Sequence, residues 1–152
     1  MSDSGYLLDT NVWIALAFAM HPHRSQAVEA YARVEAERPA VFCRSTQQSF
    51  LRLATTPAIL RTYGVESFTN DDAIKVLNQF LSLPTISYRD EPPGLVAIWH
   101  RLAARPTASP KVWMDAYLAA FAIAGNLKMV TLDRDFKSFA GVGLDLELLA
   151  VP

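Results

Sequence analysis

Four aspartates stand where a carboxylate can do chemistry. Asp9 follows the apolar run Tyr6–Leu8, and Asp133 follows Met129, Val130 and Thr131, with Asp135 two residues on. Asp115 is the only charge between Lys111 and Lys128, in the company of Val112, Trp113, Met114, Ala116, Leu118 and Phe121. Singly, each has an ordinary account. Asp9 can cap the helix that follows it. Asp133 and Asp135 can be turn residues. Asp115 is harder to dismiss, because a helix that is apolar nearly all round is a buried one. An ionised carboxylate in such a place is costly unless it is paired or bound to a metal, a narrow solvent-facing strip being the alternative. Together the positions make a pattern. Asp9 and Asp133 end strands, and Asp115 opens the helix before the Asp133 strand, so all three can meet at one end of a sheet. Clustered carboxylates raise one another's pKa unless a cation neutralises them. With no histidine or cysteine beside them, the all-oxygen set suits Mg²⁺ or Mn²⁺. A metal of that kind activates water and stabilises a leaving phosphate oxygen, so phosphodiester hydrolysis is the reaction class.

The elements that must position these groups can be read from the spacing of apolar residues. A buried strand at 6–8 leads through Asp9, Thr10 and Asn11, good capping types, into an apolar helix that His21, Pro22 and His23 break. Helical spacing of Ala27, Val28, Tyr31 and Val34 predicts a helix over 24–37, and 40–43 reads as a second buried strand. Ser45 and Gln48 predict a capping box for a third helix, which should stop before Pro57. Thr69 and Asp72 predict another helix start, followed by an apolar face at Ala73, Val76, Leu77, Phe80 and Leu81. A strand is expected over 84–88 and a helix after Pro92 and Pro93. Ser109 followed by Pro110 predicts the start of the Asp115 helix, and Gly125 its end. Strands at 127–131 and 143–149 complete the chain. Strands alternating with helices argue for an α/β domain whose parallel sheet is covered on both faces. Ligands bind beyond the C-terminal ends of such strands.

Composition narrows the classes. The 152 residues are 51% hydrophobic and 19% charged, which excludes disorder and fits one domain over 1–152. The net charge of −1 means that any nucleic-acid contact must come from a local patch rather than from bulk charge. Cys43 is the only cysteine, so a disulfide framework is excluded and a reducing, cytoplasmic setting is expected. The apolar stretches 12–20 and 112–124 are too short to span a bilayer, and the second carries Asp115; no membrane association is expected. The three histidines are too scattered for a metal-ligand pattern.

In Leu8–Asp9–Thr10–Asn11, Asp115–Ala116–Tyr117–Leu118–Ala119–Ala120 and Thr131–Leu132–Asp133–Arg134–Asp135–Phe136, taken in order and at their distances from both termini, the chain resembles a PIN domain. More narrowly, it resembles the VapC toxins of bacterial toxin–antitoxin pairs. The resemblance implies a three-layer α/β/α fold with a central parallel sheet of four to five strands. It implies a Mg²⁺- or Mn²⁺-dependent endoribonuclease whose catalytic and metal-holding residues are Asp9, Asp115 and Asp133, with Asp135 as a weaker ligand or a supporting residue. Asn11 and Thr131 would orient the carboxylates or a water on the metal. The implied partners are an RNA substrate, a cognate VapB-like antitoxin with a segment in the active-site groove, and a second copy in a homodimer. The chain departs from the pattern in one respect. Where the family usually carries a glutamate early in the third helix, this chain has Gln47, with Gln48 as the other alignment. A glutamine oxygen can accept from a water on the metal but adds no charge, so weaker metal binding is expected and a second ion is disfavoured.

RNA contact needs cations near the site. Arg52, Lys111 and Arg134 are the candidates, with Arg44 also flanking Gln47. Each alone reads more readily as a solvated surface charge or half of an ion pair. Trp13 and Trp113 are expected to pack in the core, as is Cys43. Two other functions compete: a binding module in which Gln47 marks lost catalysis, and a phosphotransfer enzyme with Asp9 as nucleophile. The second lacks the usual aspartate two residues on, where Asn11 stands.

Overall fold

The computed structural model describes residues 3–150. Five strands form one parallel sheet: β1 (Tyr6–Leu8), β2 (Ala40–Phe42), β3 (Ile86–Tyr88), β4 (Lys128–Thr131) and β5 (Leu146–Leu148), in the order β3-β2-β1-β4-β5. The helices are α1 (Thr10–Ala17), α2 (Arg24–Tyr31), α3 (Arg44–Ala54), α4 (Pro57–Thr62), α5 (Asn70–Leu81), α6 (Leu95–Ala103), α7 (Val112–Ala124) and α8 (Lys137–Ala140), with a 3₁₀ turn at Arg134–Phe136. Alternate residues of each central strand face opposite layers, as a pleat requires. Tyr6, Leu8, Ala40, Phe42 and Val130 pack with α1 to α5, whereas Leu7, Val41 and Met129 pack with α6, α7 and α8. The architecture is therefore the three-layer α/β/α arrangement expected, with five strands. None of the helices is long and apolar enough to cross a membrane among the described residues.

The central strand is β1, and its entry is sterically tight. Gly5 has φ +147°, and a Cβ there would lie 2.6 Å from the Pro39 carbonyl oxygen that accepts the Tyr6 N–H. Its own carbonyl accepts from Lys128 N at 2.9 Å. Gly5→Ala should thus cost roughly 2–4 kcal/mol and lower Tm by roughly 5–15 °C, measured by differential scanning calorimetry.

Several boundaries differ from expectation for local reasons. The third helix starts at Arg44, and its start is sealed by Cys43 and Thr46 rather than by Ser45 and Gln48. The Thr46 hydroxyl accepts the Cys43 N–H and donates to the Cys43 carbonyl, both at 3.0 Å. The helix expected over 24–37 ends at Tyr31; Glu35 and Arg38 then exchange two backbone hydrogen bonds and turn the chain into β2. Pro57 not only ends α3 but starts α4, which was not anticipated. Ser109 and Pro110 lie in a turn, and α7 begins at Val112, whose N–H reaches the Ser109 carbonyl at 3.1 Å. Thr69 and Asp72 form the expected capping box of α5. Trp13 is fully buried and stacks on Phe42 with centroids 3.8 Å apart. Trp113 is 51% exposed, against the expectation of core packing, because it lies in the first turn of α7, where Met114 is exposed too.

Candidate active site

Asp9 does two jobs at once. Its Oδ1 accepts the Thr10 N–H at 2.8 Å and so caps α1. Its Oδ2 accepts from the Thr131 hydroxyl at 2.7 Å and from the Asn11 amide at 3.3 Å. Thr131, with no exposed surface at the end of β4, also accepts the Asp133 N–H at 3.0 Å through the same oxygen. Asn11 closes the arrangement by accepting the Leu132 N–H at 3.3 Å. The ends of β1 and β4 are thereby locked together, which fixes the distance between the loops that carry Asp9 and Asp133. Beyond them, Asp133 Oδ1 accepts the Asp135 N–H at 2.9 Å and starts the 3₁₀ turn.

Asp115, Asp133 and Asp135 each place a carboxylate oxygen within 4.8 Å of the others. Asp9 is outside that group of three yet electrically coupled to it. Burial pushes the Asp9 carboxyl above the ordinary range, Thr131 and the Thr10 N–H draw it back, and Asp133 raises it again. The Asp115 carboxyl is pushed up to about 6, first by burial and then by Asp133, Asp9 and Asp135. Clustered carboxylates with only oxygen donors between them fit a hard divalent cation such as Mg²⁺ or Mn²⁺. The 3₁₀ turn holds Asp135 beside Asp133 at the exposed side of this group.

A groove of about 680 Å³ opens from Asp115 and Asp135 and is walled by Arg105, Lys111, Ser138 and Phe139 among others. Of the three cations singled out in the sequence, only Lys111 is in this wall. Arg134 borders a separate depression with Leu132 and Leu148, and Arg52 lies with Asn70 and Ile74 between α3 and α5. Arg105 was missed. It lies in the exposed connection between α6 and α7, and its only sequence signal is its place one loop ahead of Asp115.

A model of the PIN domain family matches residues 6–142. This chain belongs to the PIN domain family. Along nearly its whole length this PIN domain is similar to Ribonuclease VapC41 of Mycobacterium tuberculosis, with 43% identity over 145 residues, 95% of this chain and 98% of that one. Ribonuclease VapC31 of the same organism is 32% identical over 140 residues, covering 90% and 94%. Within PIN domains the chain therefore falls in the VapC group. Two solved structures share the fold at 16% identity. One is VapBC2 from Rickettsia felis bound to a DNA fragment from their promoter, with TM-score 0.68 over 95% of this chain and 98% of that one. The other is VapC20 of Mycobacterium tuberculosis, a sarcin–ricin loop cleaving toxin, with TM-score 0.61 over 90% and 95%.

Against the usual PIN domain pattern, the glutamine at the start of α3 now has a definite setting. Gln47 is buried and Gln48 exposed, so Gln47 is the residue that faces inward. Its Oε1 accepts from Arg44, whose guanidinium also lies over the Tyr88 ring at 4.7 Å. The amide thus serves as an anchor for an arginine.

Proposed function

We propose that the protein is a Mg²⁺- or Mn²⁺-dependent endoribonuclease and the toxin of a toxin–antitoxin pair. The observation that carries this is the convergence of Asp115, Asp133 and Asp135 within 4.8 Å, next to Asp9, at the C-terminal end of a parallel sheet. Its similarity to proteins named as VapC ribonucleases supports the substrate class.

In this mechanism Asp9, Asp115 and Asp133 hold the cation, and Asp135 adds a fourth carboxylate from the open side. Thr131 and Asn11 orient Asp9, and Thr131 also fixes the chain at Asp133. The cation would supply Lewis acidity toward a phosphate oxygen and a water made nucleophilic at neutral pH. Lys111 and Arg105, in the wall of the groove, neutralise phosphates of the bound RNA. Gln47 adds no charge, so one ion per chain is expected. An antitoxin segment placed in the same groove would silence the enzyme by occupying it, and a homodimer would set two such grooves together.

The test is RNA cleavage by the purified protein. Mg²⁺ or Mn²⁺ should support cleavage and EDTA should reduce it at least about 10³-fold, because the metal supplies several kcal/mol of transition-state stabilisation. Cleavage that survives EDTA undiminished would remove the metal from the mechanism.

A further inference from the structure

We propose that the surface from Arg105 to Trp113, beyond the acid cluster, is a nucleotide subsite for single-stranded RNA. In it Trp113 stacks on an unpaired base while Arg105 and Lys111 hold the phosphates beside it. The subsite rests on the ribonuclease function proposed above and names the form of RNA that enters.

A second depression, of about 460 Å³, is lined by Ala103, Arg105, Thr107 and Trp113. It shares Arg105, Thr107, Ser109 and Pro110 with the acid groove, so the two are continuous across one loop. A strand lying in the acid groove would therefore have Trp113 within reach. This indole, two residues from Asp115, is half exposed beside the exposed Met114, in the first turn of a helix whose later turns are buried. It is also held in place. Trp99 meets it edge-on at 6.3 Å, and the Trp99 Nε1–H donates to the Trp113 carbonyl at 2.9 Å, pinning α6 to the first turn of α7. A rigid, exposed indole is a stacking platform that accepts any base, since every base has a π face.

Charge selects the occupant. The second depression carries one charged residue, Arg105, and no carboxylate. Among the described residues neither Arg105 nor Lys111 is in an ion pair. Both charges are therefore available to an anion, and the acids nearby are those assigned to the cation. An apolar protein segment would cover Trp113 but leave Arg105 without a counter-charge. A nucleotide supplies the ring and the phosphate together. Duplex RNA keeps its bases stacked, so only an unpaired base can be splayed onto the indole.

The experiment compares wild type with Trp113→Ala, Trp113→Phe and Arg105→Ala on a randomised single-stranded RNA oligonucleotide, with Mn²⁺ calorimetry and light scattering on each protein. Trp113→Ala should raise KM about tenfold with little change in kcat, and phenylalanine should restore most of the loss. Arg105→Ala should raise KM and flatten its dependence on salt. Mn²⁺ affinity and molecular mass should stay as in wild type, which also reports that the fold is intact. An unchanged KM in Trp113→Ala overturns the subsite and leaves the ribonuclease function standing. A fall in mass on that substitution makes the surface a contact between copies of the chain, and also overturns it. A wild type that binds Mn²⁺ but neither binds nor cuts RNA overturns both proposals.

Discussion

Asp115→Asn should lower RNA cleavage by about 10³-fold while making the metal-free protein more stable. The first effect follows from removing one of the carboxylates that converge on the cation. The second follows from the electrostatics. Burial and three neighbouring aspartates push the Asp115 carboxyl from 3.8 up to about 6. A carboxyl raised on folding contributes stability that is fully present below its unfolded pKa and is lost as pH rises through about 6. At neutral pH and above, the metal-free protein therefore bears an unrelieved penalty. Solvent reaches about half of the group, so the penalty is discounted to roughly 1–2 kcal/mol. Asparagine removes it, and Tm in EDTA should rise by roughly 2–8 °C above neutral pH, with no gain at pH ~4. Thermal scans across pH, with cleavage assays on the same protein, check both halves. In wild type, the divalent cation should raise Tm in the same pH range, because it relieves the same repulsion. A loss of activity accompanied by a loss of stability would mean that Asp115 is a structural residue.

Thr131→Val is expected to have the second-largest effect, and it falls on a residue that need not touch the metal. One buried hydroxyl donates to Asp9 and accepts from the Asp133 main chain and from the Asn11 amide. Valine has the same shape and offers none of these bonds. Two donors and a charged acceptor lose their shared partner, at a cost of roughly 2–4 kcal/mol. With its orienting partner gone, activity should fall about 10- to 100-fold. Thr131 is also the strongest influence drawing the Asp9 carboxyl down, so its removal lets burial push that group higher still. Protons should then compete with the cation over a wider range, and the pH needed for Mn²⁺ binding should move up. Thr131→Ser keeps the hydroxyl and should recover most of the binding. Mn²⁺ titrations at a series of pH values separate this from a simple loss of stability.

How much of this could be read in the sequence depended on the range of the interactions involved. The strands were legible because apolar runs such as Tyr6–Leu8 and Ala40–Phe42 must be buried on both faces, and the two packed layers require it. Asp9 and Asp115 stood out for a related reason, a charge with no apolar excuse. The Thr69–Asp72 box was visible because capping is a contact three residues long. The misses are cases in which a distant partner decides. Trp113 sits in an apolar run, so its exposure depends on what the rest of the fold leaves uncovered there, and no local pattern records that. Arg105 joins the site only because its loop folds back over the start of α7. Asp135 approaches Asp115 through a turn whose geometry is set by the Asp133 side chain.

The strand order has a consequence for how the protein comes into being. β1 is the middle strand and is made first, yet one of its two neighbours is β4. Asp9 and Thr131 are 122 residues apart, so at ribosomal rates the first carboxylate waits roughly 6–24 s for its partner to be synthesised. Until then β1 has one exposed edge, and neither Asp133 nor Asp135 has been made. Translation itself therefore imposes a delay before the four carboxylates can come together. In that interval a chaperone or a partner protein already present in the cell can reach the nascent chain.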